Sequence, residues 1–259
     1  MSTSFCRFGK LVMIAVLLSA GTFATTAYAN HSWGPYHWAR TVSPFTLKLS
    51  DNVSTVWDGY LVAASTDWSV SSILDTTIIA GQSRNCRATK GRVEVCNRTY
   101  GNTGWLGVAS IWVSGNHITQ GTVKVNDTYF NSSPYNTPAW RQLVMCQEVG
   151  HTFGLDHQDE NFSNTNLGTC MDYTNNPSGP PSNEYPNAHD YKQLELIYAH
   201  LDSVTTVGQT VANPRGHNNA TEADDAGKVL RRDSKGRPAL YERDLGRGEK
   251  LFTFIFWAE

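Results

Sequence analysis

The chain has 259 residues, and its 21 basic and 23 acidic residues give a formal net charge of −2 at a mean hydropathy of −0.38. This balance excludes a strongly basic nucleic-acid-binding protein, because such proteins need clustered positive charge to bind phosphates. No apolar run reaches the roughly 20 residues that span a bilayer. We therefore expect neither a nucleic-acid partner nor stable membrane anchoring.

The first 29 residues have the pattern of a secretory signal peptide. Arg7 and Lys10 precede an apolar run from Leu11 to Leu18, and Ala27-Tyr28-Ala29 supplies the small residues of a cleavage site. The mature chain then begins at Asn30. We predict a secreted, extracellular protein.

Four cysteines remain once the signal peptide is removed: Cys86, Cys96, Cys146 and Cys170. An even number in an oxidising compartment predicts disulfides. Pairing Cys86 with Cys96 and Cys146 with Cys170 is the most local of the three possible arrangements. The alternative, four free or metal-binding thiols, has no CxxC pair to support it.

The order of elements predicts an α+β fold. Apolar alternation predicts a strand over 45–49, and helical spacing predicts a helix with an aromatic face over 56–68. A strand follows at 76–80, and a glycine-punctuated hairpin is predicted across the first cysteine pair. Two more strands are predicted within 104–111 and 118–125, and His117 in the turn between them is expected to face solvent. Together these elements predict a twisted sheet with a backing helix.

Residues 147–157 contain the candidate metal ligands and general base. Their sequence is Gln-Glu-Val-Gly-His-Thr-Phe-Gly-Leu-Asp-His. On a helix, positions four apart share a face, so Gln147 and His151 can approach one metal ion. Glu148, one step round, can accept a proton from a water on that metal. Gly154 is predicted to end the helix, because glycine adopts a left-handed conformation, and the turn then returns His157 to the same point.

These residues fit the zinc-protease pattern HExxHxxGxxH at every defined position except the first, where Gln147 stands. Cys170-Met171-Asp172-Tyr173 follows downstream. Together the two motifs resemble the metzincin clan of zinc peptidases. The resemblance implies a twisted mixed sheet, a backing helix, an active-site helix, a C-terminal helix and a Met-containing turn that puts Met171 beneath the metal. By the same resemblance, Tyr173 matches the tyrosine that astacins and serralysins place beside zinc, as a ligand or a donor to the oxyanion.

Gln147 leaves three outcomes open, because zinc prefers nitrogen and sulfur ligands to an amide oxygen. Its oxygen coordinates the metal, or it holds a water while other groups bind the metal, or catalysis has been lost. Other possible ligands are Asp156, Asp159, Glu160 and His189, and their spacing does not select among them.

Downstream, residues 177–186 are predicted to form a loop, and a further helix is predicted to open at His189-Asp190. This completes a predicted metzincin-like catalytic domain over residues 30–202. Residues 203–259 are predicted to form a polar linker and a β-rich extension with a hairpin of strands near 239–241 and 251–257. Its apolar strand must pack either on the catalytic domain or within a small module of its own.

The sequence thus predicts a secreted, monomeric, zinc-dependent metalloendopeptidase. A metal-bound water would attack the peptide bond, with Glu148 as the general base and Tyr173 stabilising the oxyanion. The resemblance implies an extended peptide or protein substrate that pairs with a strand at the cleft edge, either 105–111 or 118–125. The competing hypothesis is a catalytically inactive metzincin-like module that binds peptide or protein.

Overall fold

The computed structural model describes residues 1, 30–209 and 227–259. Apart from Met1, the predicted signal peptide lies outside these residues, as do residues 210–226 of the predicted linker. Within the described parts of the chain, no helix is both long and apolar enough to cross a membrane.

The fold is α+β, with one large mixed sheet and few helices. The strands are β1 (His37–Trp38), β2 (Phe45–Asn52), β3 (Leu74–Ala80), β4 (Arg92–Arg98), β5 (Trp105–Ser114), β6 (His117–Asn126), β7 (Lys228–Arg232), β8 (Pro238–Gly246) and β9 (Glu249–Trp257), and the helices are α1 (Asp58–Trp68), α2 (Asp127–Phe130), α3 (Pro138–His151) and α4 (Ala188–Ile197). The strand order is β3-β2-β4-β6-β5-β9-β8-β7, and β1 pairs separately with β6. Strands β1, β2, β3, β4 and β6 pair in parallel, whereas β5, β7, β8 and β9 form antiparallel pairs.

The hairpin predicted across the first cysteine pair is wrong. Residues 84–86 form a short 3₁₀ turn, and β4 lies between β2 and β6, parallel to both. Four consecutive residues of β4, from Val93 to Cys96, are buried. Alternation of polar and apolar residues from Arg92 to Val95 marks a strand, but it does not identify the strand's partners or their direction.

Local capping explains where helices α3 and α4 begin. The Thr137 side chain accepts a hydrogen bond from the Trp140 amide at the start of α3, and Pro138 occupies the first turn. Helix α4 opens with a capping box between Asn187 and Asp190. These signals set the direction of α3, the helix that bears the predicted site.

Helix α3 is buried against the sheet and against α1. The Trp68 indole donates a hydrogen bond to the Cys146 carbonyl at 3.1 Å. A Cβ atom at Gly150 would lie 2.7 Å from both Met171 Sδ and the Trp68 ring, so only glycine permits this close packing. Met171 therefore lies directly beneath the last turn of α3.

Both predicted disulfides are confirmed. Cys86 pairs with Cys96, with Cα atoms 6.0 Å apart, and Cys146 pairs with Cys170, with Cα atoms 5.9 Å apart. The second bond joins α3 to the residue before Met171. It fixes the helix relative to the turn below it.

The C-terminal strands belong to the same sheet as the rest of the chain. Strand β9 pairs with β5 from Trp105 opposite Trp257 to Ser114 opposite Glu249, along the whole length of β5. Residues 251–256 of β9 are all buried. An unpaired β5 would present open hydrogen-bonding groups at a sheet edge, and the apolar β9 satisfies them.

Candidate active site

Helix α3 brings Gln147, Glu148 and His151 to one buried region. The helix ends at His151, three residues before Gly154, so the predicted helix end is wrong by one turn. Gly154 has a φ of +100°, and a Cβ atom there would lie 2.7 Å from the Tyr36 carbonyl. Gly154 therefore forms the turn that returns the chain toward His157.

The two imidazoles of His151 and His157 converge, with their Nε2 atoms 2.9 Å apart. His151 Nδ1 lies 2.9 Å from the Leu155 carbonyl, and His157 Nδ1 lies 2.8 Å from Glu160 Oε1. A carbonyl and a carboxylate only accept hydrogen bonds, so each Nδ1 carries a proton and each neutral ring has its lone pair on Nε2. Both lone pairs point into the same space.

This arrangement fits a metal ion. Tetrahedral zinc with Zn–N bonds of about 2.0–2.1 Å holds its ligand atoms about 3.3 Å apart, a few tenths of an ångström more than the observed separation. Burial lowers the pKa of His151 well below its usual range and lowers that of His157 to about 3. Both rings therefore favour the neutral form, which is the form that binds metal.

The Gln147 amide has one atom engaged and one atom without a partner. Its Nε2 donates to the Cys170 carbonyl at 2.6 Å, which fixes the orientation of the amide. Its Oε1 is buried and accepts no hydrogen bond from any described residue. Such an oxygen costs free energy unless a cation or a water meets it.

Glu148 is fully buried, and neither carboxylate oxygen has a hydrogen bond of normal geometry within the described chain. Burial raises its pKa well above the usual range, and the backbone of Ala109 offsets only part of this shift. A Cβ atom at Gly107 would lie 2.6 Å from Glu148 Oε1, so strand β5 passes directly over the carboxyl group. The covered carboxyl group therefore favours its protonated form.

Tyr173 lies beside His157, with ring centroids 4.4 Å apart. Its hydroxyl donates to the Ile255 carbonyl of β9 at 3.3 Å. Burial raises the pKa of Tyr173 well above its usual range, and the charges of Glu160 and Glu148 raise it further. Tyr173 is thus a proton-bearing donor, and a backbone carbonyl currently accepts its hydrogen bond.

Two of the other candidate ligands, Asp156 and Glu160, lie beside His157. Glu160 contacts the Nδ1 side of His157, so it orients this ring from the side away from His151. Arg231 of β7 forms ion pairs with Asp156 and Glu160, and its guanidinium supplies the positive charge between them. Asp159 accepts from the Asn161 amide and the Asn164 side chain. His189 stacks on His31, with ring centroids 4.8 Å apart.

The site is covered by the chain's own C-terminal strand. Phe254 of β9 stacks on the His151 ring, with centroids 4.1 Å apart and an interplanar angle of 14°. Phe256 packs on Tyr173 at 4.8 Å. The sequence indicated an apolar strand in need of a partner, but nothing in it identified β5 and the histidines as that partner.

Removing the Cys146–Cys170 disulfide is expected to lower the free energy of unfolding by about 3 kcal/mol, because it releases a loop of 24 residues. Chemical denaturation of a Cys146→Ser, Cys170→Ser variant measures this loss. For a zinc ion held between His151 and His157, the affinity of this variant should also be lower, since the Cys170 carbonyl holds the Gln147 amide. The control is Cys86→Ser, Cys96→Ser, which should lose comparable stability and keep its zinc affinity. Equal affinity in both variants would contradict the positioning role.

No protein-family model matches the chain, and a search of curated proteins found no match.

Proposed function

We propose that the chain is a secreted zinc-dependent metalloendopeptidase of metzincin type, in a latent conformation. The observation that carries this proposal is the convergence of the His151 and His157 Nε2 atoms, on the same helix end as the buried carboxyl group of Glu148. Two imidazoles and an acid in this relation match the catalytic pattern for hydrolysis by a metal-activated water. In this proposal residues 30–202 form the catalytic region, and 203–259 regulate it.

The proposed metal ligands are His151, His157 and the Oε1 atom of Gln147. Zinc, when bound, would lower the pKa of a water and polarise the substrate carbonyl. The charge of the bound zinc would favour the ionised form of Glu148, which would accept the proton of the attacking water and pass it to the leaving amine. Tyr173, freed from the Ile255 carbonyl, would donate its hydrogen bond to the developing oxyanion.

The proposed substrate is an extended peptide that pairs with β5. Strand β9 supports this choice, because an extended segment already pairs with β5 along its length and reaches the histidines. The same contact explains latency in the proposal. A peptide substrate and β9 need the same edge of β5, so β9 must leave before the substrate can bind.

The competing function is an inactive metzincin-like binding module. Its support is the Gln147 amide, whose Nε2 is held by the Cys170 carbonyl and which offers zinc only a weak oxygen ligand. Zinc content and chelator-sensitive casein hydrolysis separate the two functions. A folded chain that neither retains zinc nor hydrolyses casein after β9 is displaced would favour the binding module.

Replacing Gln147 by histidine tests the third ligand. We expect Gln147→His to raise zinc affinity about 10- to 100-fold, because an imidazole nitrogen replaces an amide oxygen at the metal. Competition with a chelating dye measures the change. The control is Gln142→His, five residues earlier on the same helix, which should leave affinity unchanged. Equal affinities for wild type and Gln147→His would show that residue 147 does not face the metal.

A further inference from the structure

A second group of histidines surrounds the Asp202 carboxylate, at a place that the proposed peptidase function does not use. His37 Nε2 lies 3.3 Å from Asp202 Oδ1, His117 Nε2 lies 3.2 Å from it, and His200 Nε2 lies 3.6 Å from it. The three rings come from β1, from the first residue of β6 and from the segment after α4. His117, predicted to face solvent in a turn, is one-third exposed and belongs to this group.

The His37 ring is held with one nitrogen directed at Asp202. Its Nδ1 lies 3.0 Å from the Pro35 carbonyl, and its Nε2 lies 3.3 Å from Asp202 Oδ1. The backbone thus fixes the outer nitrogen, and the inner nitrogen faces the carboxylate. Backbone carbonyls commonly hold the outer nitrogen of metal-binding histidines in this way.

The carboxylate is also oriented for a ligand. The Arg40 backbone amide donates to Asp202 Oδ2 at 2.9 Å, and the Asp202 amide donates to the Arg40 carbonyl at 2.8 Å. These bonds leave Oδ1 to the imidazoles. Asp202 Oδ1 lies 3.3 Å from His37 Nε2 and 3.2 Å from His117 Nε2, close to the spacing of about 3.3 Å between ligand atoms in tetrahedral zinc sites.

In a second cluster, formed by His31, His189 and Asp190, the carboxylate is already occupied by other donors. His31 Nε2 lies 3.5 Å from Asp190 Oδ1, but the Asp190 carboxylate already accepts hydrogen bonds from Gln158, from Thr169 and from the Asn187 amide. Its negative charge is therefore compensated by donors from the protein. The Asp202 group also borders a cavity of about 370 Å³ that His37, His117 and His200 help to line, which gives an ion a path to the site.

We propose that His37, His117 and Asp202 form a second metal site that binds zinc or a similar divalent transition metal ion, since their ligand atoms all lie within 4.8 Å of one another. Two imidazoles and one carboxylate are a donor set that zinc favours over magnesium or calcium. The ion would join β1, β6 and the segment after α4, which are far apart in the sequence. Its role is structural, and it does not depend on the peptidase proposal.

The test counts zinc in the full chain after metal removal, reloading with Zn²⁺ and desalting. A His151→Gln, His157→Gln variant isolates the new site and should retain one zinc per chain. Adding His117→Gln or Asp202→Asn to it should remove that zinc, whereas adding His189→Gln should not. Retention of no zinc by the His151→Gln, His157→Gln variant, or no loss on adding His117→Gln, would overturn the proposal.

Two further measurements keep the outcomes separable. If the peptidase proposal alone is wrong, wild type should hold one zinc that His117→Gln removes and that His151→Gln, His157→Gln does not. Circular dichroism checks that each variant folds. If Asp202→Asn does not fold, the His117→Gln variant provides the test, because the His117 side chain is partly exposed and its replacement should not disturb the fold. Zinc should also raise the melting temperature of the His151→Gln, His157→Gln variant by about 5 °C, and His117→Gln should abolish that shift.

Discussion

Replacing Phe254 by alanine is expected to raise peptidase activity at least about 100-fold. Removing a buried phenylalanine costs about 3–5 kcal/mol, and the cost falls mainly on the conformation in which β9 covers His151. Each 1.4 kcal/mol lost by the covered form increases the open population about tenfold. Hydrolysis of casein and of a quenched fluorescent peptide measures the gain.

The control for Phe254→Ala is Leu230→Ala, a substitution at an exposed position of β7. It should leave activity at the wild-type level. Adding Arg231→Ala to Phe254→Ala should raise activity further, because Arg231 ties β7 to Asp156 and Glu160. A synthetic peptide with the sequence of residues 249–257 should inhibit the Phe254→Ala enzyme, and a scrambled peptide should not. A folded, zinc-containing Phe254→Ala protein with no gain in activity would contradict latency through β9.

In the Phe254→Ala background, Glu148→Gln is expected to lower kcat by about 10²- to 10⁴-fold. The amide keeps the shape of the carboxylate but cannot accept the proton, and general base catalysis contributes about this factor. Initial rates on the fluorescent peptide measure the loss. Zinc content should not change, because Glu148 is not among the proposed ligands.

A matched control for Glu148→Gln is Glu94→Gln, another fully buried glutamate, which pairs with Arg92 in β4. This variant should keep its kcat in the Phe254→Ala background. Full activity of the Glu148→Gln enzyme would exclude Glu148 as the base. Loss of zinc together with activity would instead make Glu148 a ligand, and the proposed roles would have to be exchanged.

The local features of this chain were readable from its sequence because they depend on neighbouring residues. The periodicity of α1 and α3, the pattern from Gln147 to His157 and the local cysteine pairs each depend on short separations along the chain. The order of motifs also predicted that Met171 and Tyr173 lie near the histidines. In the structure, Met171 packs under Gly150, and Tyr173 lies beside His157.

Two predictions of local structure were wrong, and each error has a physical cause. β4 was placed in a hairpin although it pairs in parallel with β2 and β6, and Gly154 was read as a helix end although α3 stops at His151. In both cases the local signal was real, but the surrounding chain decided what it meant. The pairing of a strand and the course of a turn are properties of the packed protein.

The sequence by itself determined which residues can bind a metal, move a proton and form disulfides, because these capacities belong to side chains and their spacing. Only the tertiary structure decided that β9 fills the edge of β5 above the histidines, and that His37, His117 and His200 meet at Asp202. Most of these contacts join distant segments, since His37 and His117 lie 165 and 85 residues from Asp202 in the sequence. Pairing partners at such distances are selected by the shape and the unpaired edge of the folded sheet, which no short stretch of sequence encodes.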